Sequence, residues 1–187
     1  YLYSAFEEYQ KTGLPPVRAV AMEYPQDEAA RNLDDEYFFG KDLLVCSLTL
    51  EDGTSREVYL PEGIWYNFFT GEKIEGGRKL VMEADWNEML VFAREGALIP
   101  VAEPVMCVTE DTVFDITVKS FGTNKTGSCV LYEDDFVSFD YESTPNTPDP
   151  SAAKKQICIT VNSNGEFIVS GAKTSTKYHF LNCIVKD

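Results

Sequence analysis

The chain has 187 residues, of which 44% are hydrophobic and 13% aromatic, so it can bury the core of one large domain or two small ones. Its formal net charge of −15 would repel both nucleic acid and anionic lipid, which argues against either as a partner. The five cysteines form no CxxC motif, and no apolar stretch is long enough to span a bilayer, so neither a zinc site nor a membrane segment is predicted.

The first forty residues predict a helix, a turn and then a strand. Apolar residues recur at helical spacing over residues 1–11, and Gly13 is placed to end the helix. The next run, residues 17–22, is almost continuously apolar, which is typical of a parallel strand covered on both faces. A short helix is predicted over residues 34–39. This opening has an α/β pattern and is interpreted as the remnant of a larger domain.

From Leu43 onward the pattern changes to short strands separated by turns. Strands are predicted at residues 43–48, 56–60, 64–68, 79–82 and 89–93, and again at 113–118, 128–132, 137–141, 156–161, 166–170 and 177–185. Turn signals, such as the one at residues 51–53, separate them at close and even spacing. Such spacing is typical of β-sandwiches and barrels, so a mainly β fold is predicted.

A series of motifs between Tyr1 and Pro100 occurs in an order and spacing that resemble one enzyme family. Among them are Thr12-Gly13-Leu14-Pro15, Glu23-Tyr24-Pro25, Trp65-Tyr66-Asn67-Phe68 and Phe92-Ala93-Arg94-Glu95-Gly96-Ala97-Leu98-Ile99-Pro100. The set resembles glycoside hydrolase family 31, of the α-glucosidase type. A weaker likeness continues at Leu131-Tyr132-Glu133-Asp134-Asp135, where Phe136 follows in place of the usual glycine.

The resemblance implies a domain organisation. Members of the family carry a (β/α)8 catalytic barrel followed by a proximal and a distal β-sandwich. Residues 1–40 are therefore expected to be a remnant of the barrel, residues 41–110 the proximal C-terminal β-sandwich, and residues 111–187 the distal C-terminal β-domain. The expected fold is mainly β, with two tandem antiparallel β-sandwich domains preceded by a short helix–strand remnant.

The resemblance also implies a function. The parent protein is expected to be a retaining α-glycosidase that hydrolyses terminal α-glucosidic bonds of oligosaccharides, using two aspartates on earlier barrel strands. No residue of this chain inherits a catalytic role, and the chain alone is expected to be inactive. Its expected partners are its own catalytic domain and, through the barrel, an oligosaccharide. No cofactor or metal is implied.

Two runs of acids could be mistaken for a catalytic pair or a calcium loop. They are Asp34-Asp35-Glu36 and Glu133-Asp134-Asp135. Neither has the alternating oxygen ligands and central glycine of a calcium loop, and adjacent acids are expected to point apart and stay solvated. Arg18 stands in an apolar run, where a buried charge needs a partner, so an acidic neighbour is predicted for it.

The aromatic residues near the middle of the chain have two interpretations. Exposed, Trp65 and Tyr66 could stack on sugar faces, and the chain could then be a stand-alone carbohydrate-binding β-sandwich module. Buried, they would fill the core together with Phe68 and Phe69, which is the favoured interpretation. His179 is the only histidine, and a packing or surface role is predicted for it.

Overall fold

A computed structural model describes residues 1–48, 54–84, 87–109, 111–122, 126–134, 155–162, 164, 166–170 and 177–186. The helices are α1 (Leu2–Thr12) and α2 (Val20–Glu23), with a 3-10 turn at Ala30–Asn32. The strands are β1 (Val17–Ala19), β2 (Glu36–Phe39), β3 (Leu43–Cys46), β4 (Ser55–Leu60), β5 (Ile64–Asn67), β6 (Lys73–Glu75), β7 (Arg78–Glu83), β8 (Leu90–Arg94), β9 (Leu98–Ala102), β10 (Phe114–Phe121), β11 (Ser128–Glu133), β12 (Lys155–Val161), β13 (Phe167–Ser170) and β14 (Tyr178–Lys186).

The predicted opening helix is confirmed as α1. It ends at Gly13, whose φ of 78° is left-handed and whose N–H donates to the Tyr9 carbonyl oxygen at 2.8 Å. A residue with a side chain adopts this conformation at a cost, which is why glycine commonly ends helices. Neither helix in the described ranges is long and apolar enough to cross a membrane.

Two predictions for the first forty residues are wrong. The apolar run 17–22 is not a doubly covered parallel strand: β1 is three residues long, pairs antiparallel with β2, and leaves Val17 54% exposed. The chain then turns into α2, which buries Val20. Residues 34–39 do not form a helix. Glu36–Phe39 form strand β2 instead, in which the buried Glu36 and Phe38 alternate with less buried neighbours. Aromatic residues favour such a pleated, half-buried surface.

The first large sheet has six strands in the order β1-β2-β3-β8-β5-β6, and all of its pairings are antiparallel. Both of its faces are covered. Leu44 of β3 packs in a cluster with Val58 and Leu60 of the β4–β7 ribbon, whereas Leu43 packs in a second cluster with Phe121. Alternate residues of a strand face opposite sides, so β3 is buried throughout its length.

The remaining strands form two three-stranded sheets around a third apolar cluster. Their orders are β14-β10-β9 and β11-β12-β13, and Leu98, Ile116 and Ile157 lie in the shared cluster. The mainly β fold of antiparallel sheets is thus confirmed, with one departure: β14 runs parallel to β10. The domain limits at residues 40 and 110 stay a prediction. The predicted turn at residues 51–53 and strand at 137–141 lie outside the described residues.

Candidate functional site

Arg18 lies at the centre of a buried group of charges. Its side chain is 1% exposed, and its Nη1 lies 2.9 Å from Oε1 of Glu23 while its Nη2 lies 3.5 Å from Oε2 of Glu8. Strand β1 places Arg18 on its buried side, α1 supplies Glu8, and α2 supplies Glu23. The acidic partner predicted for Arg18 is therefore confirmed, and two carboxylates fill that role.

The Glu23 carboxylate extends this group to a second strand of the first sheet. Its Oε2 lies 2.8 Å from Nη2 of Arg94 on β8. The Arg94 guanidinium also stands over the rings of Phe38 and Tyr24, 4.5 Å and 5.2 Å from their centroids, where it gains a cation–π attraction. One carboxylate thus bridges two guanidiniums from different strands. The arrangement suits a fixed joint between the helices and the sheet rather than proton transfer.

A second buried charge group is formed by Arg56. Its guanidinium lies 2.7 Å from Oδ2 of Asp35 and 3.3 Å from Oε1 of Glu36, and Oε1 of Glu36 also accepts the Tyr59 N–H at 2.7 Å. Burial raises the pKa of Glu36, while the Tyr59 N–H and Arg56 act against that rise. The expectation that these acids are solvated is wrong for Glu36, because Arg56 compensates its charge inside the protein.

These acids do not form the carboxylate pair of a retaining glycosidase. Such a pair faces a sugar across a cleft at about 5 Å, with one carboxyl protonated. Asp35 and Glu36 instead share one guanidinium. A cavity of about 280 Å³ beside α1 is lined by other acids, but Glu7 is paired with Lys11 at 2.6 Å and Glu8 with Arg18.

Trp65 and Tyr66 are both buried, at 1% and 2% exposure. They are neighbours on β5, so their side chains enter the clusters on opposite faces of the first sheet. Trp65 Nε1 donates to the Pro61 carbonyl oxygen at 2.8 Å. Phe68 is half-buried and Phe69 is exposed. Sugar contact through Trp65 and Tyr66 stays a prediction, and it would require these rings to leave the core.

The other residues singled out in the sequence do not share one role. His179 Nδ1 lies 2.9 Å from Oδ1 of Asp115, and both side chains are exposed. Glu133 is buried at the end of β11, so the expectation that it stays solvated is wrong. Asp134 accepts a hydrogen bond from Tyr3, and Asp135 lies outside the described residues. Over the ranges that the structure describes, no three His, Cys, Asp or Glu side chains are grouped so as to hold a metal ion.

The sequence reasoning missed the partners of Arg94 and Arg56. Arg94 ends the apolar run of β8, and Arg56 is the second residue of β4, where it lies on the same face as the buried Val58 and Leu60. That position was the available signal, as it was for Arg18. Which carboxylates would meet them depends on the pairing of distant strands, which the spacing along the chain does not give.

Comparison with known proteins places these features in a family. Residues 13–99 match the family model described as glycosyl hydrolase family 31 C-terminal domain. The chain is 35% identical over 143 residues to α-glucosidase 2 of Bacillus thermoamyloliquefaciens, covering 76% of this chain and 18% of that enzyme. It is 32% identical over 143 residues to an α-xylosidase of Saccharolobus solfataricus, covering 76% of this chain and 19% of the relative.

Solved structures agree with these relatives. A family 31 dextranase of Flavobacterium johnsoniae, complexed with isomaltotriose, superposes with a TM-score of 0.78 at 33% identity, over 90% of this chain and 20% of that one. A family 31 α-xylosidase of Xanthomonas citri gives a TM-score of 0.80 at 27% identity, over 99% of this chain and 20% of that one. The chain therefore spans a small part of each relative's length, and its residues 13–99 are identified as a glycosyl hydrolase family 31 C-terminal domain.

Proposed function

We propose that this chain is the C-terminal region of a retaining α-glycosidase that hydrolyses terminal α-glucosidic bonds of oligosaccharides. The observation that carries the proposal is the 143-residue likeness to α-glucosidase 2, which involves only 18% of that enzyme. In the proposed reaction one aspartate attacks the sugar and a second acts as acid and then base, both on the catalytic barrel. No acid of this chain takes either role.

The proposed role of the chain is to support the barrel. Residues 1–40 would belong to the barrel, residues 41–110 to the proximal β-sandwich and residues 111–187 to the distal β-domain. The ion pairs of Arg18 and Arg94 with Glu23 support this role, because they fasten α2 to β1 and β8 of the first sheet, and the Arg18–Glu8 pair fastens α1 to β1. Charges held between elements in this way fix their relative orientation.

An exposed apolar face on the opening helix supports the same proposal. Leu2, Phe6 and Tyr9 are exposed and lie at positions i, i+4 and i+7, so they share one side of α1. Val17 and Met22 are exposed nearby in sequence. Contiguous apolar side chains on a surface mark a place where another structure packs. The proposed occupant is the rest of the parent protein's catalytic barrel.

The test is a chimera with the Bacillus α-glucosidase, in which the matching 143-residue region is replaced by that of this chain. A folded chimera that hydrolyses an aryl α-glucoside is expected, whereas the same enzyme with the region deleted should lose activity. The isolated 187-residue chain should show no turnover. A soluble, folded chimera without activity would contradict the proposal, and so would turnover by the isolated chain that survives rigorous purification.

A further inference from the structure

Helix α1 closes the outer edge of a sheet in the second half of the chain. Among the strands that the structure describes, β11 is an outer strand of the β11-β12-β13 sheet, with β12 on one side of it. An edge strand presents unpaired backbone groups on its other side. Here the Tyr132 N–H donates to the Ser4 hydroxyl oxygen of α1 at 2.9 Å. The helix therefore satisfies an edge amide that would otherwise face solvent.

The neighbouring residue of α1 makes a second attachment to the same strand. The Tyr3 hydroxyl lies 2.7 Å from both carboxylate oxygens of Asp134, the residue that follows β11. The Tyr3 ring packs against the Tyr132 ring, with centroids 5.4 Å apart. Burial, together with a hydrogen bond between its hydroxyl and Asp134, raises the pKa of Tyr132. The Asp134 carboxylate thus accepts hydrogen bonds from a tyrosine hydroxyl of the helix and from one of the strand.

Two adjacent attachments constrain the helix more than one would. Consecutive residues of an α-helix point about 100° apart around its axis. Because Tyr3 and Ser4 are both held by the end of β11, α1 can neither slide along the strand nor rotate about its own axis without breaking a contact. The rotation of α1 in turn decides which way Leu2 and Phe6 point.

We propose that Asp134, Tyr132, Tyr3 and Ser4 form a docking clamp through which the β11-β12-β13 sheet orients α1 and so presents the exposed Leu2–Phe6–Tyr9 face to the catalytic barrel. The identity of that partner rests on the proposed function. The clamp itself is a property of this chain and can be measured without any activity assay. In this scheme Asp134 is a positioning residue that acts through the helix and touches no substrate.

Hydrogen exchange of the full chain tests the clamp. Tyr3→Phe keeps the ring and removes the hydroxyl, and Asp134→Ala removes the acceptor. Each variant is expected to speed exchange of the α1 amides about fivefold, as for the loss of one hydrogen bond to a charged group that is partly exposed. The double variant should exceed the larger single effect only slightly, because both changes remove one shared interaction. Tyr9→Phe removes a hydroxyl from the exposed face of the same helix and should change nothing.

The amides of β3 and β8 serve as the internal reference, and they are expected to exchange at the same rate in all variants. Unchanged exchange of α1 in Tyr3→Phe and Asp134→Ala would overturn the clamp. Equal acceleration of α1, β3 and β8 would also overturn it, since the residues would then support the whole fold rather than the pose of one helix. Either result leaves the chimera test of the proposed function untouched, and an inactive chimera with the expected exchange pattern would remove the proposed function alone.

Discussion

Replacing Arg56 by leucine is expected to destabilise the chain strongly. The Arg56 guanidinium serves the carboxylates of Asp35 and Glu36 and also the backbone oxygens of Asp35, Ser47 and Glu57. Leucine fills part of the space and satisfies none of these acceptors. Removing one partner of a buried ion pair costs about 3–5 kcal/mol, because the remaining charge is left without compensation. We expect a loss of this size in the free energy of unfolding at neutral pH.

The destabilisation by Arg56→Leu should depend on pH, and the titration of Glu36 determines whether it grows or shrinks as the pH rises. Burial already raises its pKa above the ordinary value of 4.5, and Arg56 opposes that rise. Without Arg56 the folded-state pKa rises further, so the folded protein holds a proton that the unfolded chain releases near pH 4.5. The contribution of Glu36 to the free energy of unfolding is then greatest below pH 4.5, and it is lost as the pH rises through the folded-state pKa of Glu36. The Arg56→Leu variant should therefore be penalised more at pH 8 than at pH 5.

Urea denaturation at these two pH values is the assay, with two comparison variants. Arg56→Leu combined with Glu36→Leu should recover part of the loss, since no uncompensated charge stays buried. Lys79→Met breaks an ion pair of 2.6 Å whose side chains are 59% and 57% exposed, and it should produce no measurable change. A loss below about 1 kcal/mol for Arg56→Leu, the size of an average substitution, would refute the reasoning. So would a loss that is the same at both pH values.

Three further predictions concern packing and exposure. Gly76→Ala should cost about 1–3 kcal/mol in urea denaturation, because the new Cβ would overlap the Pro61 carbonyl oxygen; a neutral result would show that this turn can relax. In a Trp86→Phe variant, which keeps Trp65 as its one tryptophan, acrylamide should quench the fluorescence weakly and oligosaccharides should leave it unchanged, whereas quenching by sugar would favour a binding module. Cys107 is exposed and should react first with a thiol reagent, while buried Cys46, whose pKa is raised chiefly by burial, should react only after unfolding.

The sequence was a good guide where a local signal decides the structure. The helical spacing before Gly13 predicted α1, since glycine alone adopts the capping conformation there without strain. Arg18 in an apolar run predicted a buried ion pair because an unpaired charge is costly in a protein interior. Close spacing of turns likewise predicted short antiparallel strands. Each of these inferences depends on residues that are close to one another in the sequence.

The failures share a different cause. The run 17–22 had the composition of a buried strand, but the buried side of β1 is occupied by Arg18, and the chain bends into α2 to bury Val20 instead. From the sequence, Glu36 was predicted to be a solvated acid, but in the structure β4 places Arg56 beside it. Burial of these residues is decided by elements that are distant in sequence. Periodicity carries no information on which distant strand becomes the neighbour.

The parallel pairing of β14 with β10 has a consequence for the order of folding. Asp115 and His179 are opposite each other in this pair yet lie 64 positions apart, whereas β9 and β10 are neighbours along the chain. Closing so long a loop costs conformational entropy that is offset only once the strand contacts have formed. The β10–β14 pairing is therefore expected to form late. During synthesis on the ribosome, β10 has only β9 beside it until residues 178–186 emerge. Over that interval its open edge is the part of this unit most exposed to pairing with another nascent chain.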